Sequence, residues 1–322
     1  MTPVFIQKNH KMRRQLFLLP LLLTIFFSVS FAQTDISELY EQAKSLHSQG
    51  ELADANLLLN QVLEAEPDHV NALIRRANIQ LRFGNFESAE KDLSHALEVE
   101  PANVSALYNS GLVQYMKGSS GSALPFFDRA IVLDTTDYLL YRYRGECRMR
   151  DQDIEGALAD YEAAHTLNPT DYKSGLTYSA LLQSKRQFGP AIELLDSLAI
   201  HHPDSLDLFS MKAASEYSAL RFEDAIGTFG KVISLSPKTG DFYVLRASAL
   251  MEVKRYEEAI ADMNMAISLS PEKADHYTMR GALYSLNEDP EAACKDFMEA
   301  EKWGATKETL APMRKEAGCE QK

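Results

Sequence analysis

Residues 70–103 read VNALIRRANIQLRFGNFESAEKDLSHALEVEPAN, a 34-residue stretch whose pattern returns along the chain without insertion. The alanine at its twentieth position, Ala89, recurs as Ala55, Ala123, Ala157, Ala191, Ala225, Ala259 and Ala293. A small residue held in phase at this period marks a helix-turn-helix unit that cannot bury its apolar face alone and must stack on copies of itself. Working outward from Val70, unit starts fall at Ile36, Val104, Tyr138, Tyr172, Leu206, Gly240 and Ala274, so eight units occupy residues 36–307.

Within each unit, size alternates. Position 8 is always small (Ala43, Ala77, Gly111, Gly145, Ser179, Ala213, Ala247, Gly281), and position 24 is always bulky (Leu59, Leu93, Phe127, Tyr161, Leu195, Phe229, Met263, Phe297). Small against large lets two helices approach closely and fill the space between them. Position 4 is aromatic or leucine in seven units, from Leu39 to Tyr277. Proline stands at position 32 in six units, from Pro67 to Pro271, where a residue without an N–H ends one helix before the next begins.

This arrangement resembles the tetratricopeptide repeat family: bulky at 4, small at 8, Ala at 20, aromatic at 24, small at 27 and Pro at 32. The resemblance implies an all-α solenoid of eight helix-turn-helix repeats in a right-handed superhelix, its first helices lining a concave groove, closed by a C-terminal capping helix. It implies no chemistry. The units are 36–69, 70–103, 104–137, 138–171, 172–205, 206–239, 240–273 and 274–307, with cap and tail at 308–322. Because each repeat contacts only its neighbours, one elongated domain is expected despite the length.

Residues 1–32 carry Lys8, Lys11, Arg13 and Arg14, no acid, and a 17-residue apolar run from Leu16 to Ala32 broken by Pro20. That is the pattern of a secretory signal peptide, with cleavage expected after Ala32. The expected location is therefore the periplasm or the cell exterior, with no membrane insertion once the signal is removed. Of 33 basic residues, 29 remain after removal against 46 acids, a net charge of −17. Such a chain is not expected to bind nucleic acid or a polybasic-seeking membrane surface.

Three cysteines remain: Cys147, Cys294 and Cys319. Cys294 opens the second helix of unit eight, and Cys319 follows the amphipathic stretch Lys307–Ala317 that reads as the cap. Antiparallel packing brings them near each other, and export into an oxidising space allows a bridge. By the loop-entropy model it stabilises the end of the array by about 3 kcal/mol; the alternative is two free thiols. Cys147 reads as a small buried residue.

No Gly-rich phosphate loop, His-Glu-x-x-His motif or paired Cys-x-x-Cys is present, so no cofactor, metal site or catalytic residue is expected. Unit five departs most from the pattern, with Gly175 at position 4, Ser179 at 8 and Leu198 at 27, and a looser stack is expected there.

The resemblance places positions 2, 5, 9, 12 and 13 of each unit on the groove. In units one to five these carry Lys44, Arg82, Arg142, Arg150 and Lys173 against one acid, Glu146; in units six to eight they carry Asp207, Asp241, Glu252 and Asp275 with no base. Tyr40, Tyr108, Tyr115 and Asn78 accompany the bases. Aromatic and arginine side chains are the usual anchors of interfaces, so Tyr40, Lys44, Asn78, Arg82, Tyr108, Tyr115, Arg142 and Arg150 are the expected partner-binding residues. The ligand is an acidic or carboxylate-ending peptide of another protein. The family's two-carboxylate clamp is not complete here, since only Asn78 and Asn109 match it, while Ile74, Leu139 and Tyr143 replace its bases. The reading is an exported, non-catalytic interaction scaffold. The alternative is an envelope component that self-associates or bridges through its convex face and ends.

Overall fold

The computed structural model describes residues 35–319; the leader at 1–32 lies outside the described residues. Seventeen helices and no strands are present among them. The first eight pairs are α1 (Asp35–Gln49) and α2 (Leu52–Ala65), α3 (Val70–Arg82) and α4 (Phe86–Val99), α5 (Val104–Met116) and α6 (Ser120–Leu133), α7 (Tyr138–Arg150) and α8 (Ile154–Leu167), α9 (Tyr172–Ser184) and α10 (Phe188–His201), α11 (Leu206–Ser218) and α12 (Phe222–Leu235), α13 (Gly240–Glu252) and α14 (Tyr256–Leu269), and α15 (Ala274–Leu286) and α16 (Pro290–Lys302). The last helix is α17 (Lys307–Glu316). From α3 on, each first helix begins at position 1 of its unit.

The helices start and stop for local reasons. The last residue of a unit caps the next first helix: the side chains of Asn103, Asp137, Asp171 and Ser205 accept backbone N–H bonds from Ala106, Leu139, Ser174 and Leu208. Position 15 ends the first helix in the left-handed region in every unit. Gly50, Gly84 and Gly118 do so at φ of 74–85°, whereas Gln152, Arg186, Leu220, Lys254 and Glu288 do so at 58–64°. The following N–H then bonds back to the carbonyl five residues earlier, as from Asn85 to Gln80 and from Arg255 to Leu250. The position-4 tyrosines add a tie across units. Tyr243 and Tyr277 donate their hydroxyls to the carbonyls of Pro237 and Pro271, at 3.1 and 2.9 Å.

Contacts divide the chain into two compact bodies, one ending at Asp153 and the other beginning at Ile154. The boundary lies in the turn between the two helices of unit four, and the unbroken repeat phase that suggested one domain shows no sign of it. In each body, paired helices pack on each other and each second helix packs on the following first helix.

The size alternation has no slack. A methyl added at Gly111 would come within 2.8 Å of the Phe127 ring, and one at Gly281 within 2.7 Å of Phe297. Phe127 and Phe297 are fully buried.

A polar tie runs beside this contact. Arg76, Arg246 and Arg280 at position 7 each grip the nearly buried aspartate at position 23 of their own unit, Asp92, Asp262 and Asp296, with both carboxylate oxygens engaged at 2.6–2.8 Å. Arg76 and Arg280 also reach back to Asn60 and Asn264 of the preceding unit at 2.9 and 2.6 Å. The bidentate fork matches the carboxylate and holds the guanidinium charge firmly. In unit six, Lys212 and Thr228 replace this pair, and Lys212 instead serves Asp196 and the buried Glu216 on its own helix.

In unit five the departures at positions 4 and 27 face each other. Leu198 is fully buried and sits directly over Gly175, where a Cβ would lie 2.6 Å from its side chain. The large group has moved from position 4 to position 27 and fills the same space from the other helix. At the far end, α17 lays buried Leu310 against Tyr277, Phe297 and Ala300, and Arg314 donates to the Phe297 carbonyl at 3.2 Å and to Glu301 at 2.7 Å. The sulfurs of Cys294 and Cys319 are bonded, joining α16 to the residue beyond the cap, with their Cα atoms 5.6 Å apart. Cys147 is fully buried, and burial pushes its thiol up to about 12.

The exchange in unit five predicts a specific double-mutant result. Leu198→Ala should lower stability by about 2–5 kcal/mol through the cavity it leaves, and Gly175→Leu should destabilise by overpacking. Combining them restores the usual small-large order, so denaturant unfolding of the double variant should recover most of the loss. Simple additivity of the two losses would show that the residues do not share one space.

Candidate functional site

In the N-terminal body the first helices adjoin, α3 beside α5 and α5 beside α7. Side chains from α1, α3 and α5 line an open depression of about 310 Å³: His47, Asn78, Leu81, Arg82, Asn109, Leu112 and Met116. No acidic residue is among them. Its floor is apolar and its polar groups are amides and bases.

His47 faces Arg75 of α3, the imidazole Nδ1 lying 3.3 Å from a guanidinium nitrogen. The His47 Nε2 and the Arg75 Nε are buried with no hydrogen-bond partner among the described residues. Burial, followed by the charges of Arg75 and Arg82, holds the imidazole below its ordinary value. Arg75 also lies over the Tyr40 ring, 5.8 Å from its centroid, and Tyr40 packs at a tilt against His69, with ring centroids 4.7 Å apart. Asn109 is largely buried and donates its amide to the Ser105 carbonyl at 2.8 Å.

A second cluster, of rings and bases, spans α5, α6 and α7. Tyr143 lies 5.8 Å from Tyr108, 5.6 Å from Tyr115 and 6.1 Å from Phe127, the last pair stacked. Arg142 covers the Tyr143 ring at 4.9 Å, and Arg150 sits on the Tyr115 ring at 3.9 Å while donating to the Tyr115 carbonyl at 3.0 Å. The Tyr115 hydroxyl donates to the carboxylate of Glu146, which is nearly buried. Burial and that hydrogen bond push the Tyr115 phenol up to about 12, and burial beside Tyr143 raises Tyr108 as well.

The eight residues singled out from the sequence therefore fall into different settings. Asn78 and Arg82 share the depression. Arg82 is exposed and has no ion-pair partner among the described residues. Tyr108, Tyr115, Arg142 and Arg150 join the ring cluster, where the arginines already cover tyrosines of the same chain. Lys44 is paired at 2.9 Å with Glu41, one turn earlier on α1, and Tyr40 leans on His69. Lys173 lies in the other body. Sequence reasoning passed over His47, Arg75 and Tyr143. His47 occupies position 12, a groove position, and a count of formal charges at neutral pH hides it. Arg75 stands at position 6, outside the pattern. Among the described residues, no grouping of His, Cys, Asp and Glu could hold a metal ion, and no helix is long and apolar enough to cross a membrane.

Two models described as tetratricopeptide repeat match the chain, at residues 46–114 and 210–274, one in each body. The chain belongs to the tetratricopeptide repeat family. Among solved structures, a tetratricopeptide repeat protein from Parabacteroides merdae is 24% identical, over 77% of this chain and 98% of that one, with a TM-score of 0.48. YrrB, described as a tetratricopeptide repeat protein with an unusual peptide-binding site, is 20% identical over 56% of this chain and 92% of its own, with a TM-score of 0.50. A chain of the Naa15/Naa10 complex bound to HypK-THB is 15% identical over 86% of this chain and 44% of its own, with a TM-score of 0.54. At these identities the likeness is one of fold. No curated protein matches the sequence. Tetratricopeptide repeat proteins generally mediate protein–protein interactions, and the fold is typically a non-catalytic scaffold.

The ring cluster of this tetratricopeptide repeat protein makes a measurable demand. In an ultraviolet difference titration of wild type against Tyr115→Phe, the phenolate signal of this one residue should be absent at about pH 10, where a free tyrosine is half ionised. It should appear only near pH 12. Ionisation at the ordinary value would mean that Tyr115 does not hold its proton against Glu146.

Proposed function

We propose that the protein is an exported, non-catalytic scaffold that binds an extended, acidic segment of a partner protein on the first helices of its N-terminal body. The observation that carries this reading is the depression between α1, α3 and α5, with Asn78, Asn109, Arg82 and His47 on its wall and no acid, in a chain whose net charge is −13. Composition alone would place acids on an exposed face. Amides can bond an extended backbone, bases can meet carboxylates, and the apolar floor formed by Leu81, Leu112 and Met116 can take a side chain. The neighbouring rings, pinned by Arg142 and Arg150, are preorganised, which lowers the ordering cost of association. That YrrB carries a peptide-binding site is consistent with the same use of this fold.

Affinity capture from the native envelope tests the binding reading. Arg82 is the residue to change, because it is exposed and makes no ion pair that folding depends on. Arg82→Glu should weaken capture of one specific protein about tenfold or more, which corresponds to about 1.4 kcal/mol. Equal capture by both forms would remove the depression from consideration. A mass in light scattering that rises with concentration, with no partner present, would favour self-association instead.

Export is tested separately. The basic residues followed by the Leu16–Ala32 apolar run support a cleaved signal, so the protein isolated from its native source should begin at Gln33. An intact leader on the isolated protein would overturn the cleavage.

A further inference from the structure

We infer that α17 is a latched lid on the C-terminal end of the array: the Cys294–Cys319 bond, and not packing, keeps it shut, and a dithiol that reduces this bond releases α17 while the eight units stay folded.

α17 takes the place of a ninth first helix without the means of one. Counting on from Ala274 by one repeat, a further unit starts at Glu308, one residue from where α17 begins, and α17 packs on α15 and α16 as other first helices pack on the unit before them. The other first helices bury whole rows of side chains: α3 buries Leu73, Ile74, Ala77 and Leu81 among others, and α15 buries Tyr277 and Leu283. Of the ten residues of α17, only Leu310 is buried. The size rule is reversed as well, with Ala311 at position 4 and Lys315 at position 8. Pro312 in the helix interior gives up a backbone hydrogen bond, and a helix this short is marginal without tertiary support. Among the described residues, no second helix follows to cover its outer side. The remaining ties are polar. Arg314 donates to the Phe297 carbonyl and to Glu301, and Lys307 stands 3.6 Å from Glu301. The Lys307 pair is exposed, and pairs of that kind contribute little.

The last unit is shaped for this lid. Position 28, where Ile233 shares a core with Tyr243 of the next unit, is apolar in six of the first seven units, His165 being the exception. In unit eight it is Glu301, and the bases that meet it, Arg314 and Lys307, both belong to α17. The sulfur bond spans the lid: Cys294 lies on α16 and Cys319 beyond the far end of α17, so the lid is tied by the backbone at 303–306 and by sulfur at its other end. Both cysteines are half-buried, within reach of a small thiol. A thiolate of the dithiol attacks one sulfur, the other leaves as a thiolate and takes a proton, and the second thiol of the dithiol resolves the mixed disulfide. The protein gains two electrons and two protons, and the dithiol departs as a cyclic disulfide. Release stops at the lid, because α15 and α16 are joined without the bond, through Gly281 against Phe297 and through the Arg280 fork on Asp296.

The test is hydrogen exchange, read by mass spectrometry on the full chain, oxidised and in dithiothreitol. The bond joins residues 25 apart in sequence, and closing a loop of that length favours the docked lid by about a hundredfold or more. Amides of α17 should therefore exchange about a hundredfold faster in dithiothreitol, while those of α11 to α15 keep their rates. Trp303, the one tryptophan of the sequence, stands at the turn into the lid, and its fluorescence should change with the same reduction. Iodoacetamide should then modify Cys294 and Cys319 quickly and the fully buried Cys147 slowly. Cys294→Ser and Cys319→Ser should each show the fast exchange of α17 with and without dithiothreitol. Leu310→Ala in the oxidised protein should raise that exchange less than reduction does, since the bond holds the lid even without its buried leucine. Protection of α17 that survives once both thiols are modified would show that packing holds the lid, and the latch is overturned. Loss of protection that spreads through α11 to α15, or modification of Cys147 as fast as the other two, would show that reduction unfolds the array, and the lid is overturned.

Discussion

Everything in this array hangs on the contact between position 8 of a first helix and position 24 of its partner. Where position 8 is glycine, as at Gly111 and Gly281, even a methyl would enter the facing phenylalanine ring. Helix separation is therefore set by side-chain volume, and a close-packed interior leaves no room to vary it. The same contact repeated every 34 residues keeps the first helices in phase, and that phase brings residues 28 to 31 positions apart into reach of each other. The cluster of His47 with Arg75 and Asn78 is one result, and the bond from Tyr115 to Glu146 is another. The site depends on the spacing, and the spacing depends on the small-large pair.

Polar groups then distinguish units that volume alone would make interchangeable. In the units with Arg76, Arg246 and Arg280 at position 7, aspartate stands at position 23 and the fork closes on it. Units one, three and five have neither partner, carrying Gln42 with Leu58, Ser110 with Phe126 and Tyr178 with Leu194. The two positions thus change together, as they must: a lone buried aspartate leaves an uncompensated charge, and removing one member of such a pair costs about 3–5 kcal/mol. Unit six reaches neutrality by another route, keeping a base at Lys212 and drawing its buried acid, Glu216, from the same helix.

Fold was legible in the sequence because its determinants are periodic. Size at positions 4, 8, 20 and 24 can be read without knowing any distance, and the helix starts from Val70 to Ala274 fall where that phase places them. The relation of Gly175 to Leu198 was not legible for an instructive reason: each residue departs from the pattern at its own position, and only the geometry shows that the two face each other. The site was less legible because charge is counted by residue, whereas availability is decided by neighbours. Lys44, Arg142 and Arg150 scored as groove cations, yet one is paired with Glu41 and two lie on tyrosine rings. Position 15 shows a further limit. Its left-handed backbone is announced by glycine in the first three units and concealed by Gln152, Arg186, Leu220, Lys254 and Glu288 in the rest, since the return hydrogen bond holds the turn even where a side chain must bear the conformational cost.

The electrostatics of the N-terminal body separate two uses of the same residue types. Arginines that serve the fold are matched within about one hydrogen-bond length, and their charge is spent on a carboxylate of the chain, as in Arg76 on Asp92. The chain's acidity cannot do the same for the depression, because exposed charges are largely screened beyond about 8 Å at physiological salt. Burial, followed by the charges of Arg75 and Arg82, holds the His47 imidazole below its ordinary value. Folding tolerates the arrangement because the aliphatic stems and the Tyr40 ring support Arg75 while Arg82 keeps its head in water.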